Sequence, residues 1–236
     1  MTYNDVSGLR RTLESVRALM TSADGSLEVI VMDGGTAIGL EEATRDFPWA
    51  QVDTGRDGGI YDAMNKGMQK ARGQFIWFLN GGDECLVSDY LDVESLLRRN
   101  SETMILADYE LAFADRSIHR RARPAKYIWH GLPTSHQAIL YPTVLAKNVG
   151  YDPNFTISAD YQLTAQMLTD QVPARVEHLT IARFYADGVS SSQAHRVAAE
   201  ARQVQKYILG TSIWHQSLSQ VRHRISRLLR QILSNH

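Results

Sequence analysis

Gln74-Phe-Ile-Trp-Phe-Leu79 runs straight into Asn80-Gly81-Gly82-Asp83-Glu84, and this stretch decides the fold. A short apolar run closed by glycines reads as a buried strand whose C-terminal end delivers a carboxylate. Leu27-Glu-Val-Ile-Val-Met32 ends the same way, in Asp33-Gly34-Gly35. Turn formation explains one Asp-Gly strand end; two point to a shared crevice. In an open parallel α/β sheet the C-terminal strand ends border the ligand site. Two carboxylates there suit a divalent cation and a phosphate-bearing ligand.

Outward from these ends, strand and helix signals alternate. Val6–Met20 has helical apolar spacing, as do Leu40–Asp46 and Tyr61–Arg72, while Gln51–Asp53 reads as a weak strand. This rhythm predicts a mainly parallel sheet. Leu86–Arg99 reads as a helix, Met104–Ala107 as a strand and Tyr109–Ala114 as its possible partner. Arg116–Lys126 is basic and carries Pro124, which confines it to a loop or sheet edge. A short strand at Gln137–Tyr141, a helix at Tyr161–Thr169 and a strand at Arg175–Tyr185 follow. Gln193–Leu209 is helical up to Gly210, and Trp214–Leu233 is a last amphipathic helix rich in arginine and free of acids. The expected organisation is a catalytic domain at 1–192 and a helical appendage at 193–236.

Composition narrows the function. With 236 residues, 44% hydrophobic and 22% charged, the chain supports a packed core and is not a disordered segment. A net charge of −1 gives no general attraction to nucleic acid. The single cysteine, Cys85, excludes a disulfide framework and fits a reducing compartment. No apolar run approaches the roughly 20 residues that span a bilayer, and no signal peptide is visible, so a cytoplasmic location is expected.

Candidate chemistry sits at few positions. Asp33 and Asp57, each beside two glycines, are either turn formers or acceptors for a base or ribose. Gly59-Ile-Tyr-Asp-Ala-Met-Asn-Lys-Gly67 opens a helix whose first amides face the crevice. There Ile60, Met64 and Met68 read as the buried stripe, and Asp62 and Asn65 are divided between site and solvent. Asp83, with Asn80 and Glu84 beside it, is the metal candidate, against a capping role. Asp160 is either a helix N-cap or a general base for a hydroxyl nucleophile. His136 and Gln137 precede a strand and are candidates for positioning an acceptor or phosphate; a satisfied buried histidine is the plainer reading. Neither the dinucleotide nor the P-loop type of glycine-rich loop is present.

These motifs, with Ser135-His-Gln-Ala and Ser158-Ala-Asp160-Tyr, resemble the large inverting glycosyltransferase family 2, of the GT-A fold. In order and combination they look especially like bacterial exopolysaccharide transferases of the colanic-acid type. The resemblance runs from Thr2 to about Ser192. It implies a nucleotide-sugar site at Thr2, Tyr3, Asn4, Asp33 and Asp57, with Asn65 and Asn80 beside it. It further implies Mg²⁺ or Mn²⁺ at Asp83, and Asp160 as the catalytic base. The family's Asp-x-Asp is here Asn80-Gly81-Gly82-Asp83, and its Ala-Arg-Asn is Ala63-Met64-Asn65, which removes a phosphate-side arginine.

The apolar strand that opens the family's fold is missing before Thr2. Its loss would strand backbone donors and acceptors on the neighbouring strands. An internal Met taken as the start, or a truncated gene, would explain it, so an in-frame apolar run is expected upstream.

The expected activity is transfer of a sugar from a nucleoside diphosphate to a saccharide, with inversion. The expected acceptor is a lipid-linked oligosaccharide at the inner face of the bacterial membrane, whose anionic surface the last helix would meet. The alternative is a catalytically degenerate nucleotide-sugar or polysaccharide-binding relative. A nucleotidyltransferase would need a basic glycine-rich loop near the amino terminus, and none is there.

Overall fold

The computed structural model describes residues 1–36, 38–97, 101–185, 193–219 and 221–222. Helix α1 (Val6–Ser22) buries Leu9, Leu13, Val16 and Leu19 and is capped by Asp5, whose carboxylate accepts the Gly8 N–H at 2.8 Å. Strands β1 (Val29–Asp33) and β2 (Ala50–Thr54) pair in parallel on either side of the short α2 (Leu40–Thr44). Helix α3 (Ile60–Lys70) packs on β1 through Gly67, where a Cβ would come within 2.9 Å of Met32 Cγ.

The second sheet has six strands: β3 (Phe75–Trp77), β4 (Glu84–Cys85), β5 (Met104–Ala112), β6 (Ser117–Arg120), β7 (Ile139–Pro142) and β8 (Ala174–Tyr185). Its order is β3-β7-β5-β8-β4, with β6 on β5. Only β5 and β8 run parallel; the other pairs are antiparallel. The architecture is the expected α/β type, but the sheet is mixed rather than mainly parallel. The alternation that predicts parallel strands ends after β3. Beyond it the chain returns through β6 and β7, which lack a full crossover helix before them.

Among the described residues no strand precedes α1. Met1 and Thr2 instead tie the two sheets together at one point. Thr2 N–H donates to Met32 O at 2.9 Å and Thr2 O accepts Gly34 N–H at 2.9 Å. On the other side the Met1 ammonium donates to Leu79 O at 3.0 Å, and Met1 O accepts Gly81 N–H at 2.7 Å. Behind this bridge lies an apolar slot of about 420 Å³ between β1 and β3, lined by Leu9, Leu13, Val29, Val31, Phe75 and Ile76. Both walls are strand edges, so the slot has the form of a single strand parallel to β1, the direction Thr2 already takes against Asp33.

An engineered extension tests this shape. Five or six apolar, β-branched residues joined ahead of Met1 would span the slot at about 3.3 Å per residue. Calorimetry should show the extended chain melting at least about 5 °C higher, since a domain of this size gains about 2–4 °C per kcal/mol. A proline-interrupted extension should give no gain. Equal melting of all three chains would mean the slot does not accept a strand.

The remaining helices are α4 (Tyr90–Leu97), α5 (Thr143–Val149), α6 (Ala159–Thr169) and α7 (Ala194–Gln203). Met104–Ala112 is one strand, not two; its partner is β6, at the edge expected for the basic segment. Helix α7 passes into a π-helical turn at Val204–Ile208 before Gly210. Residues 213–219 and 221–222 are helical, as predicted there; the rest of the Trp214–Leu233 helix lies outside the described residues. The helical region at 193–236 touches the rest of the chain. Val204 is fully buried, and Gln205 Nε2 donates to Trp129 O at 3.1 Å and Ser219 Oγ at 3.0 Å.

Candidate active site

The strand ends predicted to share a crevice do so. A cleft of about 840 Å³ opens among the ends of β1 and β3, the β2–α3 loop and the Met1–Thr2 bridge. Thr2, Tyr3, Asp57 and Asn80 line it, and Tyr3 is 68% exposed. Arg56 lines it as well. Sequence reasoning passed over Arg56, although it stands beside Asp57 in the loop that already held a candidate. It puts a cation on the cleft wall.

Asp33 lies just behind the cleft wall, 2% exposed. Its carboxylate accepts the N–H groups of Gly35 at 3.0 Å and Thr36 at 2.8 Å, and the Thr36 hydroxyl. In the ligand-free protein it therefore works as the turn former. Asp57 accepts Gly59 N–H at 2.9 Å, and its other oxygen would sit 2.8 Å from a Cβ on Gly34. Any side chain at 34 would collide with it, so glycine is what lets the two acidic loops meet. Asn4, with φ of 51°, donates its N–H to Thr36 Oγ1 at 3.1 Å and so braces the same turn.

The β3 end holds Asp83, 5% exposed. Its Oδ2 accepts Gln137 Nε2 at 2.9 Å and Asn80 N–H at 3.3 Å. Burial pushes its carboxyl up to about 6, against the pull of these donors and of the Tyr185 N–H. Asn80 Oδ1 is buried with no hydrogen-bond partner, a costly state for an amide oxygen. One carboxylate and one orphaned amide oxygen form the oxygen-only donor set that a hard cation takes, with phosphate oxygens and water completing it. Among the described residues no cluster of three or more His, Cys, Asp or Glu exists that could hold a metal by itself. The site thus fits a cation shared with a phosphate ligand and not one caged by protein.

From Asp83 a line of side chains leads to Asp160. Gln137 holds Asp83, and its neighbour His136 accepts or donates at 2.7 Å to Tyr151 Oη. His136 is buried and stacked 5.3 Å from Phe78, and burial lowers its imidazole to about 4. It is a neutral, satisfied histidine one residue from the site. Tyr151 stacks on Tyr61 at 5.3 Å, and Tyr61 Oη donates to Ile157 O at 2.6 Å and lies 3.4 Å from Asp160 Oδ1. Asp160 opens α6, partly exposed, with its Oδ1 accepting Tyr161 N–H at 2.7 Å. Burial raises its carboxyl to about 6, opposed by Tyr161 N–H and Tyr61, with the Glu200 charge adding to the rise.

Asn65, expected on the nucleotide side, braces a loop here. Its amide bonds both ways to the Tyr151 backbone, at 2.9 Å in each direction, and so pins the segment that carries the tyrosine. The Tyr61–Tyr151 pair and the Gln137–Asp83 bond were not expected. Aromatic and amide side chains carry no local signal of a site, and their partners lie far away in the chain.

The mixed sheet and the acidic strand ends define an α/β fold of the GT-A type. Residues 1–187 match the family described as Glycosyl transferase family 2, and the chain belongs to it. An uncharacterised glycosyltransferase of Mycobacterium tuberculosis is 33% identical over 205 residues, covering 81% of this chain and 75% of the relative. Among solved structures, S. aureus TarS superposes with a TM-score of 0.65 at 16% identity, over 92% of this chain and 40% of TarS. The chain thus spans less than half of that larger protein. The mannosyltransferase PcManGT of Pyrobaculum calidifontis, solved with GDP-Man and Mn²⁺, gives 0.63 at 11% identity, over 93% of this chain and 71% of that one. At these identities the superpositions speak for the fold.

Proposed function

We propose that this glycosyltransferase moves a sugar from a nucleoside diphosphate to a saccharide hydroxyl with inversion, in exopolysaccharide assembly. The observation that carries the reading is the line from Asp83, bonded to the cleft-lining Asn80, through Gln137, its neighbour His136, Tyr151 and Tyr61 to Asp160. It supports a donor-diphosphate end and a base end on one connected scaffold. Solved relatives with UDP-GlcNAc and with GDP-Man and Mn²⁺ are similar in fold, which supports a nucleotide-sugar donor here.

In this mechanism the base and ribose lie against Thr2, Tyr3 and Asp57, Asp33 holds the turn behind them and is reached only if that turn opens on binding, and Arg56 faces the diphosphate. Asp83 and Asn80 Oδ1 would hold Mg²⁺ or Mn²⁺, which when bound neutralises charge on the leaving diphosphate. Asp160 accepts the proton of the acceptor hydroxyl as its oxygen bonds to the anomeric carbon. The bond from that carbon to the diphosphate oxygen breaks on the opposite side. The buried surroundings that raise Asp160 bring it closer to the poise of a base working near neutral pH.

A lipid-linked oligosaccharide is the acceptor this reading favours, with the enzyme on the cytoplasmic face of the membrane. Among the described residues no helix is long and apolar enough to cross a bilayer. The C-terminal helical residues expose Ile213 at 79% and Trp214 at 86%, and the sequence beyond carries Arg224, Arg227 and Arg230. Apolar and cationic groups together support a face for anionic lipid.

The neutral Asn80 favours a second reading, a binding protein without turnover. Release of UDP or GDP from a panel of nucleotide sugars with Mn²⁺ separates the two. Turnover on at least one donor is expected. Binding with no release across the panel would favour the second reading.

A further inference from the structure

Glu200 lies on α7, in the part of the chain the sequence marked as an appendage, yet it is 9% exposed and faces the start of α6. Its Oε1 accepts Thr156 N–H at 3.0 Å and the Thr156 hydroxyl at 2.8 Å. Its Oε2 accepts Ile157 N–H at 3.0 Å and Ser158 N–H at 2.8 Å. Three successive backbone amides and a hydroxyl thus converge on one carboxylate, and the segment they belong to ends two residues before Asp160. From the other side Tyr61 Oη holds the Ile157 carbonyl at 2.6 Å. The loop before the base is clamped between α3 and α7.

This grip exceeds what a helix end needs. Ser158 occupies the N-cap position of α6 and makes no side-chain capping bond; the amides ahead of the helix are satisfied by a carboxylate brought from 42 to 44 residues away. Charge-assisted bonds of this kind are about twice as strong as neutral ones. Burial pushes the Glu200 carboxyl up, but the three amides and the hydroxyl outweigh it and hold it below the usual carboxylate range. It is therefore ionised beside Asp160.

We propose that Glu200 is a positioning residue for sugar transfer: by clamping Thr156–Ser158 it sets where α6 begins and where Asp160 points. The role rests on Asp160 being the base. A carboxylate displaced by about 1 Å from its acceptor costs on the order of 10² in rate, which is the scale expected on losing the clamp. Five titratable groups face Asp160 directly or through one neighbour: Tyr61 of α3, His136 before β7, Tyr141 of β7, Tyr151 after α5 and Glu200 of α7. Of these Glu200 alone carries a negative charge at neutral pH, so its removal moves the titration of Asp160 to lower pH.

Two variants divide geometry from charge. Glu200→Asp keeps the charge and shortens the arm; kcat should fall about 10-fold or more with the acidic limb of the pH–rate profile in place. Glu200→Gln keeps the arm and removes the charge, and its acidic limb should move to lower pH. In both, donor affinity by titration calorimetry with the bound nucleotide sugar should stay within about two-fold, since Glu200 is remote from the donor cleft. A purely structural cap would lower the melting temperature and leave kcat at the wild-type value. Wild-type kcat in both variants, or an unmoved limb in Glu200→Gln, overturns the inference. Asp160→Asn measured alongside keeps the two failures apart. If it turns over normally the base assignment has failed, and if it is inactive while both Glu200 variants behave as wild type, only the clamp has.

Discussion

Asp160→Asn is expected to lower sugar transfer by about 10²-fold or more, the usual contribution of a positioned general base, while donor binding is kept. Asparagine is nearly isosteric and can still accept the Tyr161 N–H, so α6 should begin where it does now. The pH dependence gives the prediction its second edge. With the Asp160 carboxyl raised to about 6, wild-type activity should fall as pH drops through that value, because the protonated acid cannot accept the acceptor's proton. Stability should run the other way. A carboxyl raised in the folded state binds its proton more tightly there than in the unfolded chain, whose value is near 3.8. Its contribution to stability is full below that value and is lost as pH rises towards about 6. The neutral variant escapes this loss, so Asp160→Asn should melt slightly above wild type at pH 8 and level with it at pH 3. Wild-type turnover in a folded Asp160→Asn protein would remove Asp160 from the mechanism.

Asp83→Asn is expected to abolish the Mn²⁺ dependence of donor binding and weaken it at least about 10-fold, the lower range even for groups that only support metal ligands. The amide keeps an acceptor for Gln137 and Asn80 N–H, which makes it a cleaner test than alanine. Asp83→Ala would leave the buried Gln137 amide unpaired at a cost of about 1–3 kcal/mol, confusing binding with stability. Titration calorimetry with a nucleotide sugar, with and without Mn²⁺, checks this. If Asp83→Asn keeps the wild-type response to Mn²⁺, the cation is held elsewhere.

The acidic strand ends were legible because their chemistry is local: an apolar run, then glycines, then a carboxylate. Other features depended on partners the sequence does not announce. Asp108 made β5 read as two pieces. It lies at an irregular step of the β5–β8 register and accepts Ala122 N–H at 2.7 Å, so a buried acid sits mid-strand without ending it. Helix α4 begins at Tyr90 and not Leu86 because Glu84–Cys85 first pairs with β8 and Leu86 N–H follows onto Ile181 O at 2.8 Å. Helix α5 is seven residues long and follows Pro142, too short to show a period. Glu200 is the plainest case. On α7 it is a single acid within an alanine-rich stretch, and its importance exists only once α7 meets the start of α6.

In the proposed mechanism one carboxylate drives an in-line displacement at the anomeric carbon. The configuration of the product tests it most directly. The wild-type enzyme would be run with an α-linked nucleotide sugar found active in the donor panel and a saccharide acceptor, and the new linkage read by NMR from the coupling of its anomeric proton. A β-linked product is predicted. An α-linked product would require a covalent intermediate or attack from the leaving-group side, and would contradict the role given to Asp160.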